Sequence, residues 1–195
     1  MTGIITTALG GLFVLSNIGL GGAAAQPTEQ TVIPDYPTYT VSMTGYNAVP
    51  EQTDGDPFTT ASGAYSNPEV VAARSVDLKE DLPFGTVIEI VAHNDTSNPN
   101  CGYSVVEEQL GLRVVADSMH PRKRNQIDVL LPNDRTIFAN NRWVNPAVAL
   151  GVCKEVEIRV VGKVAIKEIP KTQADLRLAV GVLKSADEQN LAVKK

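Results

Sequence analysis

Six short apolar runs, each bounded by turn residues, constrain the fold of this 195-residue chain more than any other feature. Several of them alternate apolar and polar residues and are rich in β-branched side chains, which is typical of strands. The spacing between runs does not fit the strand–helix–strand units of a parallel sheet. The pattern therefore predicts an all-β barrel of six strands. The predicted strands are 39–44, 70–73, 86–91, 112–116, 127–131 and 156–161.

Helical patterns occur at two places only. Pro146 in a first turn and Gly151 as a stop predict one short helix after the fifth strand. In the C-terminal tail, 166–195, apolar residues recur at helical spacing and predict an amphipathic helix. These residues are Leu176, Ala179, Val180 and Leu183. Such a helix could pack on the barrel or a partner, or fray at the surface, and both interpretations stay open.

The N-terminal segment differs from the rest of the chain. Residues 4–25 contain no charged residue and end in three alanines before Gln26. This pattern favours a signal peptide or an uncleaved membrane anchor over a buried helix, although no Lys or Arg precedes it. Residues 26–38 are polar and proline-rich, as in a linker, and 39–165 form the predicted barrel domain. We therefore expect an exported protein of the cell envelope or extracellular space, with any membrane contact made through residues 4–25.

The predicted export affects the interpretation of the two cysteines, Cys101 and Cys153. An even pair in an oxidising compartment suggests a disulfide. Two unpaired thiols remain an equal alternative, because the sequence does not give the Cα distance that a disulfide needs. Together with His93 and His120, the cysteines show no metal-ligand spacing, so neither a metal nor another cofactor is expected.

The net charge limits the classes of binding partner that we expect for this chain. The formal net charge is −5, which argues against nucleic acid as the main partner. The basic run 122–124 stands alone and is most simply a solvated turn. No oligomeric state can be inferred from these patterns.

Three aspartates are the candidate functional residues: Asp54, Asp117 and Asp128. The last two lie near the ends of predicted strands, where a carboxylate can be partly desolvated and held in place. Asp128 alternates with Ile127 and Val129, and an apolar groove around it would raise its pKa, as a general acid requires. The simpler interpretation is that turns often contain Asp.

Several short motifs occur in a distinctive order around these aspartates. They are Thr-Gly-Tyr-Asn at 44–47, Glu-Gln-Thr-Asp at 51–54, Pro-Phe-Thr-Thr-Ala-Ser-Gly at 57–63, Val-Ala-Ala at 71–73, Leu-Pro-Phe-Gly-Thr at 82–86, and the Asp117 to Asp128 interval. In this order they resemble the 3D domain, which is named for three aspartates. That domain is a double-psi β-barrel, similar to the catalytic part of MltA-type lytic transglycosylases. The resemblance covers roughly residues 40–162.

The resemblance implies an activity and roles for particular residues. Asp128 would be the catalytic acid, Asp117 would orient Asp128 or the substrate, and Asp54 would be the first aspartate of the motif. The expected substrate-binding residues are Asp54, Thr60, Ser62, Tyr46 and Arg124. The implied reaction cleaves the MurNAc–GlcNAc β-1,4 bond of peptidoglycan and leaves a 1,6-anhydromuramic product. Since the 6-hydroxyl of the muramic acid attacks, one carboxyl serves first as acid and then as base. Asp54 could equally hold the loop 60–63 or cap a turn.

One loop departs from the family pattern. Many 3D-domain proteins carry Asp-x-Gly-Gly after the second aspartate, whereas residues 118–124 here contain no glycine. Met119 and His120 are expected to narrow the cleft, and the basic residues to meet peptide carboxylates. This departure supports an alternative, a non-catalytic glycan-binding or wall-loosening module similar to expansin and RlpA-like proteins. A third hypothesis is an anchored structural protein whose tail helix binds a partner.

The single tryptophan, Trp143, allows two interpretations. It could stack on a sugar ring. Because Trp is usually largely buried, a core position beside the short helix is the more common arrangement.

Overall fold

A closed six-stranded β-barrel forms the body of the protein in a computed structural model that describes residues 36–53, 55–93 and 98–181. The barrel strands are β1 (Thr38–Tyr46), β2 (Val71–Arg74), β3 (Thr86–His93), β4 (Leu112–Ser118), β5 (Gln126–Leu130) and, after a hairpin, β8 (Cys153–Lys163). They follow one another around the barrel in the order β1, β5, β2, β4, β3, β8. The predicted mostly-β fold and its six barrel strands are thereby confirmed, although β1 begins at Thr38, inside the predicted linker.

The remaining elements lie between the barrel strands. The hairpin consists of β6 (Ile137–Ala139) and β7 (Arg142–Val144), and the helices are α1 (Tyr103–Leu110) and α2 (Pro146–Leu150). Two 3-10 turns are also present, Val76–Leu78 and Ile166–Glu168. Helix α2 is the predicted short helix, whereas α1 and the hairpin were not predicted.

Helix α2 begins and ends where its sequence predicts. The Asn145 side chain accepts a hydrogen bond of 2.9 Å from the Ala147 N–H, which satisfies one of the free donors of the first turn. Gly151 follows the last turn with φ of 62°, a conformation that glycine adopts at low cost.

The barrel mixes parallel and antiparallel pairs. Strand β1 runs parallel to β5, and β2 runs parallel to β4, while the other neighbours are antiparallel. Residues in register on adjacent strands share a face, so these pairings align side chains from distant parts of the sequence.

Apolar side chains cover both faces of the strands. One cluster includes Met43, Ile127 and Val129. The other lies on the opposite face and includes Tyr46 and Leu130. Because both faces are buried, several strands read as continuous apolar runs rather than as strict alternation.

A β-bulge in β4 decides which way Asp117 points. Along the β2–β4 pairing, Ala72 lies opposite Val115, but Ala73 lies opposite Asp117, so Ala116 is an extra residue. Strict alternation would turn Asp117 to the same face as Val115. The extra residue reverses that order and directs Asp117 to the face of Ala73 and Tyr46.

A buried arginine holds α1 against the barrel. Arg113 is fully buried, and its guanidinium donates to the carbonyl oxygens of Leu110 (2.5 Å), Pro68 (2.7 Å) and Leu130 (3.1 Å), and also to that of Gln109. Burial lowers the pKa of Arg113 to about 9, so the side chain remains charged at neutral pH. The positive charge beside the Gln109 and Leu110 carbonyls, at the C-terminal end of α1, also complements the helix dipole.

The two cysteines are joined. Cys101, which precedes α1, and Cys153, the first residue of β8, form a disulfide with a Cα–Cα distance of 4.6 Å. The bond fastens the 98–102 turn to the barrel at the edge of α2.

The start of the tail packs on the barrel. Residues 173–181 are helical, and Leu176 and Val180 are buried with the Tyr46 cluster. The Gln173 side chain is bonded to both the N–H (2.9 Å) and the carbonyl (2.8 Å) of Leu112, so it pairs like one more residue of a strand. The rest of the predicted tail helix, 182–195, lies outside the described residues.

Two further expectations concern the N-terminal segment and Trp143. Residues 4–25 and most of the linker lie outside the described residues. Among the described residues, no helix is both long and apolar enough to cross a membrane. The core position considered for Trp143 is wrong, because 69% of the residue is exposed. Trp143 lies on the outer face of a two-stranded hairpin, which has too little structure above it to cover an indole.

Candidate functional site

A row of four side chains crosses four adjacent strands of the barrel. Thr44 on β1 lies opposite Asp128 on β5, Asp128 lies opposite Ala73 on β2, and Ala73 lies opposite Asp117 on β4. Residues in register project from the same face of a sheet. Two strand spacings put the Cα atoms of the two aspartates roughly 10 Å apart. The small Ala73 between them leaves the carboxyl groups on a common surface.

Both oxygens of the Asp117 carboxylate are occupied. Oδ1 accepts hydrogen bonds from the N–H groups of Ala61 (2.9 Å) and Ser118 (2.8 Å), and Oδ2 accepts from the Tyr46 hydroxyl (2.9 Å). Hydrogen bonds to a carboxylate are about twice as strong as those between neutral groups. Asp117 is therefore an anchor that holds three parts of the structure together.

Asp117 holds the loop that the sequence motif singled out. Besides the bond from Ala61, the Ser62 N–H donates to the carbonyl of Ala116, the extra residue of the bulge (3.1 Å). Thr60 is only 5% exposed, and its hydroxyl bonds to the Ala64 carbonyl and lies 3.1 Å from the Ser62 hydroxyl. Thr60 is therefore a buried residue whose hydrogen bonds stabilise the loop. Asp117 holds this loop, and Asp54, for which a loop-holding role was also considered, lies outside the described residues.

Asp128 lies in a different environment. It is half-buried, and Oδ1 accepts one hydrogen bond, from the Thr44 hydroxyl (2.9 Å). Gln126 Nε2 donates to the same Thr44 oxygen (2.8 Å), which leaves the hydroxyl proton free to point at Asp128. Within the described ranges, neither Asp128 nor Asp117 forms a salt bridge.

This environment raises the pKa of Asp128 to about 6. Burial is the main cause, because it disfavours the charged carboxylate. The Thr44 hydrogen bond and the charge of Lys123 act in the opposite direction, and the nearby Asp117 carboxylate raises the pKa further. At pH 6 about half of the molecules therefore carry a protonated Asp128.

Tyr46 lies beside both aspartates. Two residues beyond Thr44 on β1, it shares the face of the row, and its ring is buried. Burial raises the pKa of the Tyr46 hydroxyl well above its ordinary value, and the charges of Asp117 and Asp128 add to the rise. The hydroxyl therefore stays protonated and acts as a fixed donor to Asp117.

A cleft of about 470 Å³ opens next to Asp117. Its lining residues are Glu51, Gln52, Thr53, Thr59, Ala61, Asp117, Ser118, Met119, His120 and Pro121. The segment 118–121 after Asp117, which contains no glycine, thus forms one wall, and the motif 51–53 forms another. Asp128 is not part of this lining and lies on the other side of Ala73 in the row.

The predicted site residues are not all brought together. Asp117, Asp128 and Tyr46 form one group, and Thr60 and Ser62 lie in the loop that Asp117 holds. Arg124 lies on the surface, where its guanidinium bonds to the carbonyl of Pro121 and to that of Lys123 (2.9 Å). Hydrogen bonds from Ser75 and from backbone N–H groups lower the pKa of Asp77, in the 3-10 turn Val76–Leu78, and the charge of Arg124 adds a smaller effect in the same direction.

Two residues of the site escaped the sequence reasoning, Thr44 and Gln126, and so did the effect of the Lys123 charge on the pKa of Asp128. The period-two pattern of β1 places Thr44 and Tyr46 on one face, and that signal was readable. The pairing of Thr44 with Asp128, 84 residues away, was not, because nothing local specifies it.

Metal chemistry has no evident site in the described residues, since no three His, Cys, Asp or Glu side chains cluster there. No family model matches this chain, and no curated protein matches it significantly. A function must therefore be argued from the geometry of the site and from the order of its motifs.

Proposed function

We propose that this chain is a lytic transglycosylase that cleaves peptidoglycan glycan strands, with Asp128 as both general acid and general base. The observation that carries the proposal is the half-buried Asp128 with its pKa raised to about 6. A carboxyl group with a pKa near the working pH can give a proton to a glycosidic oxygen and later take one back. The barrel would then be of the double-psi type found in 3D domains.

The difference between the two aspartates favours a mechanism with one carboxyl. Ordinary glycosidases need a second carboxylate that attacks the sugar or activates water. Asp117 is unsuited to that role, because its two oxygens already accept three hydrogen bonds. In a lytic transglycosylase the 6-hydroxyl of the muramic acid replaces the second carboxylate. One free carboxyl is therefore sufficient for the proposed reaction.

The proposed reaction has two proton transfers. Protonated Asp128 donates to the oxygen between MurNAc and GlcNAc as that bond breaks. The Asp128 carboxylate then accepts the proton of the 6-hydroxyl as its oxygen bonds to C1 and closes the 1,6-anhydro ring. The Thr44 hydroxyl, held by Gln126, keeps the carboxyl oriented and stabilises the carboxylate between the two transfers. Asp117 acts as a positioning residue through the loop 60–63.

The proposed location is the cell envelope or the extracellular space. Two features support it: the uncharged segment 4–25 and the Cys101–Cys153 disulfide, a bond that persists in oxidising compartments. The exposed basic side chains beside the cleft wall, including Lys123, would meet the carboxylates of the stem peptides.

The test is the release of anhydromuropeptides from purified sacculi. We expect the full chain, purified in mild detergent, to release 1,6-anhydromuramic products that mass spectrometry detects. Asp128→Asn should reduce the rate by about 100-fold or more, the usual contribution of a general acid. Asp134→Asn, in an exposed loop, is the matched control and should leave the rate unchanged. Products formed equally fast by Asp128→Asn would move the acid to another residue.

The alternative function is glycan binding without cleavage. One observation favours it, since the open cleft is lined by Asp117 and the 118–121 wall, while Asp128 lies outside the lining. In that case the chain would sediment with sacculi and release no product at any pH between 5 and 8.

A further inference from the structure

The hairpin β6–β7 presents two aromatic rings to solvent. Phe138 and Trp143 lie directly opposite each other in the hairpin register, with exposed fractions of 57% and 69%. Their ring centroids are 5.6 Å apart, and the planes meet at 62°, an edge-to-face arrangement. Such a pair is favourable in itself, and it leaves ring surface free for a further contact.

The hairpin is built to hold these rings in place. Its turn consists of Asn140 and Asn141, with φ of 50° and 61°, and Asn is one of the few residues that accept this conformation. On the other face, Ala139 is buried and Ile137 packs against the barrel core. The rings therefore project from a fixed support.

Polar residues flank the two rings. Thr136 lies two residues before Phe138, and Asn140 and Asn141 form the turn between the strands; all three are exposed. In the ranges that the structure describes, none of these three side chains has a hydrogen-bond partner. Donors and acceptors are thus available beside an apolar, planar surface.

The hairpin suits some ligands poorly. An inserting membrane hairpin needs apolar residues at its tip, and here the tip is Asn140 and Asn141. A stable protein partner would cover about 800 Å² on this chain, and two rings within a polar border supply too little apolar surface. Nucleic acid also stacks on aromatic rings, but it needs a basic surface, and the chain has a net charge of −5.

We propose that the Phe138–Trp143 hairpin is a saccharide-binding subsite, on which a pyranose ring of a glycan strand stacks. The apolar C–H face of the sugar would cover the indole of Trp143. Its hydroxyl and acetamido groups would bond to the amides of Asn140 and Asn141. The choice of glycan strand as ligand rests on the proposed function, and the subsite would hold the strand outside the Asp117 cleft.

The test uses the fact that Trp143 is the only tryptophan in the chain. All indole fluorescence therefore reports from this hairpin. The probe is soluble, peptide-free glycan strands released from sacculi by an amidase. They are added to the full chain carrying Asp128→Asn, so that the strands stay intact. We expect a blue shift of the emission and protection from acrylamide quenching. An unchanged spectrum at strand concentrations that saturate binding would overturn the proposal, and so would an absence of binding.

Variants and a second probe complete the test. Trp143→Ala should weaken co-sedimentation with sacculi about tenfold, the effect of losing one stacked ring of roughly 1.4 kcal/mol. Phe138→Ala should weaken it several-fold. Leu178→Ala, 68% exposed on the tail segment, is the matched control and should bind normally. A fluorescence shift with phosphatidylglycerol vesicles but not with glycan would also overturn the proposal.

Failure of this inference and failure of the proposed function give different results. Anhydromuropeptide release that depends on Asp128, without any fluorescence response to glycan, would remove the subsite and keep the enzyme. A fluorescence response without product would do the reverse.

Discussion

Asp117 and Asp128 occupy equivalent places on either side of Ala73, yet their surroundings differ sharply. Asp117 accepts three hydrogen bonds, two of them from backbone N–H groups. Asp128 accepts one, from Thr44, and burial raises its pKa. A carboxylate that is fully bonded stabilises the fold, whereas one that is desolvated with few donors is available for proton transfer. Asp117 therefore supports the fold, and Asp128 is the carboxyl group that the proposed proton transfers require.

The largest effect on stability is expected from Asp117→Ala. It would leave the Ala61 and Ser118 N–H groups and the Tyr46 hydroxyl without their acceptor. The Tyr46 and Ser118 bonds are partly buried, whereas the exposed Ala61 N–H can bond to water instead. A hydrogen bond to a charged group contributes about 1.5–3 kcal/mol, so we expect a loss of about 3 kcal/mol or more in the free energy of unfolding. Urea denaturation measures it.

The matched variant is Asp128→Ala, which removes the acceptor of one hydroxyl, that of Thr44, together with a desolvated charge. We expect it to change the stability by less than about 1 kcal/mol at pH 7. Equal losses in the two variants would abolish the distinction between the aspartates.

The next effect is the pH dependence of stability. The pKa of Asp128 is about 6 in the folded protein and about 3.9 in an unfolded chain. Folding therefore favours the protonated form. The contribution of Asp128 to the free energy of unfolding is fully present below pH 4 and is lost as the pH rises through 6. Asp128→Asn cannot ionise. We therefore expect its free energy of unfolding, relative to that of the native chain, to increase by about 2–3 kcal/mol between pH 4 and pH 7.

Unfolding free energies at intervals of half a pH unit would measure this difference. A flat difference curve would mean that Asp128 is not desolvated, and it would remove the main argument for an acid role.

The two aspartates also differ in how far the sequence predicts them. Asp128 alternates with Ile127 and Val129 in a regular strand, so its face and its partial burial follow from periodicity. Asp117 does not follow from periodicity, because the bulge at Ala116 reverses its direction. A bulge depends on the partner strand and on the Ser62 N–H that bonds to the Ala116 carbonyl. Neither is visible in the local sequence.

A similar contrast holds for the elements outside the barrel. Helix α2 has a capping Asn145, Pro146 and Gly151, and these local signals predicted it. Helix α1 has no side-chain cap and depends on Arg113 at its end, a tertiary contact. The hairpin at 137–144 has short strands whose turn signal, Asn140-Asn141, is readable, but its exposure is not.

A smaller effect is expected from Tyr46→Phe, which tests the Asp117 side alone. The variant keeps the buried ring and removes the hydroxyl that donates to Asp117 Oδ2. Since the acceptor is charged, we expect a loss of about 1.5–2 kcal/mol in the free energy of unfolding. Tyr39→Phe, whose hydroxyl makes a longer contact of 3.5 Å with Asp81, is the matched control. A loss as small as that of the control would show that Asp117 is held by the backbone donors alone.

The finest test concerns the one hydrogen bond that Asp128 accepts. Thr44→Val keeps the shape of the side chain and removes the hydroxyl that lowers the pKa of Asp128. We expect that pKa to rise above about 6, as measured by carbon-13 NMR titration of the carboxyl. Thr40→Val, at an exposed position of β1, should leave it unchanged.

The direction of the shift decides the interpretation. A higher pKa in Thr44→Val shows that the hydroxyl stabilises the carboxylate. The alkaline limb of any pH–rate profile, where the general acid loses its proton, should then move to higher pH. An unchanged pKa would mean that the Thr44 hydroxyl interacts with Gln126 and has no effect on Asp128. Burial alone would then determine the environment of the Asp128 carboxyl group. The contrast with Asp117 would become stronger, because Asp128 would have no effective donor in the described site.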